Sequence, residues 1–344
     1  MNAAVSRLFK WLGSVVGLLL VLGALGAFYL WSYYRTPAAA EAEDRIVTIA
    51  PGTSLSQIAS ELTEAGLLRH RLMFILYVQW LRPGAHLQAG EYVLRATMSP
   101  VQIAEILRQG KVRQYTLIIP EGLTIRELAA LVGDQGFGDP QVIRELARDA
   151  TFIASLGLTV PSLEGYLFPD TYRLPRHLNE QALLTLMVRT LQRHYTAEIA
   201  AQAERLGLSQ HSVLTLASLI EKEARIDEER SQISAVYHNR LKRRMRLQCD
   251  PTVIYALGEL FDGNIRKADL SIDSPYNTYR YPGLPPGPIA NAGRRSIEAA
   301  VAPADVDYLY FVATGEDGRH YFSKTFQEHS QAVRKYQLRQ VSTR

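Results

Sequence analysis

The sequence of 344 residues contains a single cysteine, Cys249. One thiol cannot form an intrachain disulfide, and a chain of this length can bury enough apolar surface to fold without one. A lone cysteine is more often a small buried side chain than a reactive group, so we expect Cys249 to be buried.

Metal-binding patterns are also lacking, and the net charge of the chain is low, at +4. The eight histidines show no HExxH or comparable spacing, so we predict no metal ion, and no motif indicates a cofactor. The chain has 38 basic and 34 acidic residues, and three of the basic ones (Arg7, Lys10 and Arg35) flank one apolar segment. The rest of the chain is therefore almost neutral, which gives little reason to expect nucleic acid as a partner.

That apolar segment, residues 11–34, contains no charged residue at all. About 20 apolar residues span the hydrocarbon core of a bilayer, so the segment is long enough to cross it. Arg7 and Lys10 favour a cytoplasmic N-terminus, residues 1–10, and place the remaining chain outside the cytoplasm. Four aromatic residues are predicted to form a belt at the outer membrane interface: Tyr29, Trp31, Tyr33 and Tyr34.

A cleaved signal peptide is the alternative interpretation of this segment, because small residues follow at 38–40. Secretory apolar cores usually have about 7–15 residues, and this one is longer and ends in an aromatic cluster. The length therefore favours an uncleaved anchor, followed by a short polar linker at 35–44.

A small subdomain is predicted at 45–115, with mixed α and β structure. The pattern predicts strands at 46–49 and 91–94, and helices starting after Ser54, over 72–81 and from Ser99. A Pro-Gly turn at 51–52 joins the first strand to its helix. A similar strand, turn and helix recur about 70 residues later, within a connecting region at 116–160. This arrangement resembles a LysM-type module, which binds the N-acetylated sugars of cell-wall glycan; an α+β unit without ligand is the alternative.

A second α+β domain is predicted at 161–344. Its first segment, 163–172, is rich in aromatic residues, and core packing is favoured there over stacking on sugar rings. Helical periodicity follows from 179 to about 206. The basic run of Arg240, Lys242, Arg243, Arg244 and Arg246 is interpreted as a solvated helix end, with peptide carboxylates or anionic lipid headgroups as alternative partners.

The candidate chemistry lies in a helix with Ser212 as its expected N-cap. Val213, Ala217, Ile220 and Ala224 form one apolar stripe, with Glu221 and Glu223 on its two edges and Lys222 pointing away. A carboxyl at the edge of an apolar face is partly desolvated, which raises its pKa and suits a general acid. An ordinary solvated helix face shows the same triplet, and periodicity does not choose between the two glutamates.

The octapeptide at 217–224 (ASLIEKEA) resembles the signature of the endolytic murein transglycosylase, or YceG-like, family. Six further segments extend the resemblance: VYHNRL at 236–241, MRLQCDPTVIY at 245–255, SPYNTY at 274–279, GLPPGPI at 283–289, YLYFV at 308–312 and HYF at 320–322. Anchor, LysM-like unit and catalytic domain follow in the family's order. The family commonly has threonine at the positions of Cys249 and Ala224, and neither difference removes a group that the chemistry requires.

The resemblance implies that Glu223 is catalytic and that Glu221 is an accessory or structural neighbour. It implies a lytic transglycosylase, in which one glutamate cleaves the bond between N-acetylmuramic acid and N-acetylglucosamine and leaves a 1,6-anhydro end. It also implies a single-pass protein of the bacterial inner membrane, facing the periplasm, that acts on nascent peptidoglycan strands beside penicillin-binding proteins.

Further positions are candidates for binding substrate: Glu221, Gln248, Asp250, Asn277, Thr278, Tyr279, Pro285, Gly287 and His320. Each also has an ordinary interpretation as a cap, a turn or a loop residue. Two alternative functions stay open. One is a muramidase, a hydrolase using Glu223 together with Asp250; the other is a non-catalytic scaffold that binds the cell wall.

Overall fold

The computed structural model describes residues 2–40, 43–81, 86–176, 178–315 and 317–338. The chain divides into two compact units, the first of Met1–Tyr115 with Leu174–His177, the second of Thr116–Arg173 with Leu178–Arg344. Helices and three two-stranded sheets give a mixed α and β fold in these described ranges, as the sequence predicts.

The first helix, α1, spans Asn2–Arg35. Its part from Phe9 to Arg35 is long and apolar enough to cross a membrane, judged by length and composition. The prediction of an aromatic belt needs correction at its end. Tyr33 and Tyr34 are only 8% and 6% exposed, because the last turn of α1 packs into the core of the first unit. Tyr29 and Trp31 remain exposed.

The rest of the first unit is a two-stranded sheet with helices packed on it. Its elements are β1 (Asp44–Ile49), α2 (Leu55–Glu64), α3 (Arg71–Leu76), a π-helical turn (Tyr77–Leu81), β2 (Gly90–Arg95) and α4 (Pro100–Gln109). β1 and β2 are antiparallel, with Val47 opposite Tyr92. Ser54 and Ser99 cap α2 and α4, as predicted from the sequence.

The second unit is mostly helical. Its elements are β3 (Tyr115–Ile118), α5 (Ile125–Asp134), α6 (Pro140–Leu146), α7 (Ala150–Ser155), β4 (Thr171–Leu174), α8 (Glu180–His194), α9 (Ala197–Arg205), α10 (Gln210–Glu223), α11 (Arg230–Lys242), α12 (Asp250–Leu257), α13 (Arg294–Val301), β5 (Tyr310–Ala313), β6 (His320–Ser323) and α14 (Phe326–Val333), which continues as a π-helical turn (Arg334–Leu338). β3 pairs with β4 and β5 with β6. The aromatic side chains of 163–172 are buried, which confirms core packing.

Two helix boundaries differ from the sequence prediction. The helix expected from 179 to about 206 is two helices, because Thr196 caps a new one through the Ile199 amide. The N-cap of α10 is Ser209 rather than Ser212, because the Ser209 hydroxyl accepts a hydrogen bond from the Ser212 amide. α10 therefore begins one turn earlier.

The central helix of the second unit is α10. It packs against α9, α11, α12 and α13. Its residues 213–220 are all buried, so the predicted apolar stripe extends around the whole helix until its last turn. The last turn, which ends at Glu223, is partly exposed, as is the first turn at 210–212. α10 thus places Glu223 at the edge of a cavity.

Candidate active site

A cavity of about 480 Å³ opens in the second unit at the end of α10. Four of the residues predicted from the sequence to bind substrate or act in catalysis lie in its wall with Glu223, namely Gln248, Asp250, Tyr279 and His320. The remaining lining comes from the segments around β5 and α14 and from two positions nearby: Arg240, Leu247, Tyr310, Phe311, Val312, Ala313, Phe326, His329, Val333 and Gln337.

The Glu223 carboxyl is an acidic group of the cavity wall whose pKa is shifted strongly by its surroundings. Burial raises its pKa to about 7, and the negative charge of Asp250 acts in the same direction. The Cys249 thiol, whose Sγ lies 3.3 Å from Glu223 Oε1, and the Tyr237 hydroxyl both lower the pKa. The carboxyl therefore exchanges its proton near neutral pH, and can both give and take one there.

Cys249 is buried, as expected, and its own chemistry is suppressed. Burial raises the pKa of the thiol well above its usual value, so it stays protonated. A protonated thiol can donate to the Glu223 carboxylate, and this is the contact that the structure shows. A threonine hydroxyl at this position would offer a donor of the same kind.

The segment before α12 forms one wall of the cavity, in a constrained conformation. Gln248 has φ of 49°, a left-handed backbone that non-glycine residues seldom adopt. Its amide donates to the Thr278 carbonyl at 3.2 Å, and the next amide, Cys249 N, donates to Thr278 Oγ1 at 2.9 Å. The Tyr279 hydroxyl donates to Asp250. Thr278 thus holds the amides of two successive residues, Gln248 and Cys249. These hydrogen bonds fix the positions from which the Gln248 and Asp250 side chains face the cavity.

Arg240 corrects the interpretation of the basic run as a solvated helix end. Its side chain is buried, and its guanidinium donates to the carbonyls of Leu309 (2.6 Å), Leu247 (2.8 Å) and Arg246 (3.2 Å). It also lies over the Tyr310 ring. Lys242, Arg243, Arg244 and Arg246 are exposed, as predicted. Arg240 follows Tyr237 by three residues on α11, so the two side chains share a helix face. This spacing was the sequence signal that could have predicted the burial of Arg240.

His320 reaches the cavity from the start of β6. Its Nδ1 lies 2.7 Å from Glu229 Oε2, and its backbone amide donates to Glu229 Oε1 at 3.0 Å. Both side chains are largely buried. Because the carboxylate accepts two hydrogen bonds from the same residue, the imidazole ring is fixed in orientation against the cavity wall.

Glu221, the other acid of the triplet, lies away from this cavity. Its Oε1 lies 3.3 Å from Arg230 Nη1, and its Oε2 accepts from the Gly293 amide at 3.0 Å. Arg230 also donates to Ser296 at 2.6 Å. Glu221 therefore joins α10 to the start of α13, which is a structural position and not one in contact with the cavity.

Four other predicted contacts are buried and do not line this cavity. Asn277 and Thr278 are fully buried, and Asn277 donates to the carbonyls of Leu270 and Ile272. Pro285 and Gly287 are buried beside His211, whose Nε2 donates to the Pro286 carbonyl at 2.8 Å. Direct contact with a ligand in this cavity is therefore not supported for these four residues, and only Asn277 and Thr278 hold the lining segments, through the Tyr279 and Cys249 amides.

No group of three or more His, Cys, Asp or Glu side chains suited to a metal ion occurs within the described part of the chain. The site is thus a cavity with one carboxyl that titrates near neutral pH, lined by polar and aromatic side chains. Such a site is typical of enzymes that transfer protons to and from a bound substrate.

Comparison with known proteins identifies the family. The YceG-like family model matches residues 47–335, so the chain belongs to the YceG-like family, and the resemblance seen in the motifs is confirmed. A Bacillus subtilis protein named endolytic murein transglycosylase is 37% identical over 336 residues, covering 92% of this chain and 91% of the relative. A Streptococcus pneumoniae protein of the same name is 32% identical over 318 residues, or 83% of this chain and 57% of the relative.

A solved structure supports the same assignment. The crystal structure of a YceG-like protein from Listeria monocytogenes is 36% identical in sequence and superposes with a TM-score of 0.57. The match covers 85% of this chain and 99% of that one.

Proposed function

We propose that this chain is an endolytic lytic transglycosylase that cleaves peptidoglycan between N-acetylmuramic acid and N-acetylglucosamine, with Glu223 as its acid and base. The observation that carries the proposal is the Glu223 carboxyl, which has a pKa of about 7 and faces a cavity of about 480 Å³. The names of the relatives, endolytic murein transglycosylase, support the substrate and the reaction class.

The first half of the reaction uses the protonated form of Glu223. Its proton moves to the glycosidic oxygen while the bond from that oxygen to C1 of the muramic acid breaks. The leaving sugar departs with a free hydroxyl. The positive charge that develops on the muramic acid ring faces the newly formed Glu223 carboxylate, which stabilises it.

The second half regenerates the acid. The C6 hydroxyl of the same muramic acid attacks C1, a bond forms between O6 and C1, and the hydroxyl proton moves to the Glu223 carboxylate. No water is consumed. The nucleophile belongs to the substrate itself, so its effective concentration is high and no second protein carboxylate is needed as nucleophile.

We assign substrate binding to Gln248, Asp250, Tyr279 and His320. These side chains line the same cavity as Glu223 and offer hydrogen-bond donors and acceptors for sugar hydroxyl and acetamido groups. Thr278 and Asn277 hold the binding segment in place from behind. Tyr279 also offers an aromatic face against which a sugar ring can pack.

The location and partners are part of the proposal. We assign α1 as an anchor in the bacterial inner membrane, with residues 1–10 in the cytoplasm and the chain after Arg35 on the periplasmic side. The helices between the antiparallel strands β1 and β2 support a LysM-like module that binds glycan. Nascent strands are the proposed substrate, and penicillin-binding proteins or other wall synthases the proposed partners.

The masses of the products test the reaction. The full-length protein in detergent is incubated with purified glycan strands, and fragments are analysed by mass spectrometry. Transglycosylation predicts new ends lighter by one water than hydrolytic ends. Hydrolytic ends would contradict the proposal and favour a muramidase, for which Asp250 in the same cavity is the candidate second carboxylate. Binding of strands without cleavage would favour a scaffold.

Two variants are expected to shift the pH profile of kcat/KM in opposite directions. The protonated Glu223 is the active acid, so activity falls as the pH rises through its pKa of about 7. Asp250→Asn removes a charge that raises this pKa, and Cys249→Ala removes a donor that lowers it. We expect the pKa of the alkaline limb of the kcat/KM profile to fall by about half a pH unit to one unit in Asp250→Asn. In Cys249→Ala it should rise by a similar amount. Shifts in the same direction would contradict the assignment.

A further inference from the structure

The segment formed by α3 and the following π-helical turn has two apolar faces. One face carries Phe74, Tyr77 and Val78, which are buried in the core of the first unit. The other face carries Leu72, Leu76 and Trp80, which are 70%, 41% and 76% exposed. These three residues recur every fourth position, so they form one continuous apolar stripe roughly 12 Å long.

This stripe lies beside the end of α1. The Tyr33 hydroxyl, in the last turn of α1, donates to the His70 carbonyl at 3.1 Å and accepts from the His70 amide at 3.2 Å. The rings of Tyr34 and Tyr77 are 5.1 Å apart. Direct side-chain contacts thus hold the start and the middle of the segment against the last turn of α1, all within the first unit.

The position of the stripe relative to the bilayer follows from these contacts. If α1 spans the membrane, its last turns lie at the outer interface, where exposed Tyr29 and Trp31 are suited to the headgroup region. His70 and Tyr77, which adjoin Leu72 and Leu76, are held at the level of those turns. A lone surface leucine is ordinary, but a continuous stripe of two leucines and a tryptophan in this place indicates a binding surface.

The basic residues that flank the stripe are suited to a lipid interface. Arg69 and Arg71 are exposed at the start of the segment, and Arg71 donates to Ser56. An apolar face bordered by basic side chains is the pattern of helices that lie in the plane of a membrane interface. Basic groups at that level are attracted to anionic lipid headgroups.

We propose that Leu72, Leu76 and Trp80 insert into the outer lipid interface beside α1, so that the first unit is held on the membrane by a second, shallow contact. This rests on the proposed role of α1 as an anchor. A helix crossing the bilayer alone leaves the attached unit free to rotate and tilt. An inserted stripe beside it fixes the unit against the bilayer surface, and thereby restricts the orientations open to the first unit.

The depth of Trp80 tests the proposal. The chain has three tryptophans, so the double variant Trp11→Phe/Trp31→Phe leaves Trp80 as the sole tryptophan, which is excited selectively at wavelengths where tyrosine does not absorb. The full-length protein is placed in nanodiscs whose lipids carry bromine at shallow or deep acyl positions. We expect blue-shifted emission, little quenching by acrylamide, and quenching that is strongest for the shallow bromines, because interfacial side chains reach only the headgroup and acyl boundary.

Two further single-tryptophan proteins make the result decisive. Trp31 alone reports whether α1 lies in the bilayer, and a tryptophan at Ile46, an exposed residue of β1, reports an apolar surface position outside the stripe. Quenching of Trp31 by lipid with water-like emission from Trp80 would overturn this inference and leave the anchor standing. Absence of lipid quenching at both positions would overturn the inference together with the anchor.

A charge substitution provides the second measurement. Leu72→Asp/Leu76→Asp in the Trp80-only background is expected to return Trp80 to water-like emission and to abolish its lipid quenching. Both leucines are exposed in the structure, so the thermal unfolding midpoint should stay near that of the parent. Ile46→Asp is the matched control, and equal loss of Trp80 quenching in that variant would contradict the proposal.

Discussion

Glu223→Gln is expected to lower the rate of glycan cleavage by about 10³-fold, because the amide cannot donate a proton to the glycosidic oxygen. Binding of the strands should persist, since glutamine has the same shape and keeps the cavity intact. The measurements are kcat from fragment analysis and the dissociation constant for uncleaved strands, both with the full-length protein. Full activity in this variant would remove Glu223 from the mechanism.

Glu221→Gln is the matched control within the same triplet. Glu221 pairs with Arg230 and the Gly293 amide, outside the cavity, so kcat should stay within a few fold of the wild type. Stability should fall by about 1–2 kcal/mol, because a largely buried arginine loses one of its two anionic partners and keeps Asp227. Loss of catalysis in Glu221→Gln with activity retained in Glu223→Gln would reverse the assignment of the two acids.

The stability of Glu223→Gln verifies that the variant is folded. The pKa of Glu223 rises from 4.5 to about 7 on folding, so between these values the folded state holds a proton that the unfolded state has lost. Stability contributed by this group is therefore present below pH 4.5 and is lost as pH rises through 7. At pH 8 the variant should be more stable than the wild type by about 2–3 kcal/mol, and at pH 4 the difference should vanish. Glu259→Gln, at a side chain that is 86% exposed, is the control for the substitution itself.

Local sequence patterns predicted much of the fold, because they report local preferences. Ser54 and Ser99 were identified as caps, and the strands that became β1 and β2 were found from their composition. The second strand–turn–helix is also present: Gly122 has φ of 79° in its turn, and Thr124 caps α5. Errors occurred where two residues of the same type can fill one role, as with Ser209 and Ser212 as N-caps at the start of α10.

Distant contacts explain what the sequence did not reveal at the site. Periodicity placed Glu221 and Glu223 symmetrically about one stripe, and only partners far along the chain distinguish them. Glu221 is held by the Gly293 amide, 72 residues away, whereas Glu223 meets Cys249, 26 residues away. The family resemblance chose Glu223 because it carries this tertiary information, which helical periodicity lacks.

Asn277 and Thr278 show that contacts between distant residues also limit the prediction of substrate-binding residues from sequence. Polar side chains in a loop predict contact with a polar ligand, but a loop also needs donors and acceptors for its own backbone. Thr278 supplies these to the Gln248 and Cys249 amides, and Asn277 to two carbonyls. Residue type alone does not separate the two uses.

Arg240→Met is expected to destabilise the protein by about 3–4 kcal/mol, because three backbone carbonyls lose a charged donor inside the fold. The guanidinium joins the end of α11 to the segment at 246–247 and to Leu309 before β5. It has no carboxylate within ion-pair distance among the described residues, so these carbonyls and the Tyr310 ring are its main contacts. Methionine fills similar space but donates to none of them.

A loss of activity should accompany the loss of stability. Leu247 and Gln248 line the cavity, and the tether from Arg240 holds their backbone, including the left-handed conformation of Gln248. Released from it, the segment should relax and weaken substrate binding, so that KM rises more than kcat falls. Thermal unfolding and steady-state kinetics at a temperature where the variant is still folded measure the two effects separately.

Arg243→Met provides the control, because Arg243 is exposed at the C-cap of the same helix. Its stability should remain within about 0.5 kcal/mol of the wild type, as for most surface substitutions. Arg240→Lys should recover only part of the loss, since an ammonium group lacks the planar fork that reaches carbonyls on separate segments. Equal stability of Arg240→Met and Arg243→Met would show that the buried guanidinium does not hold the cavity wall, and the binding role of Gln248 would then need another source of rigidity.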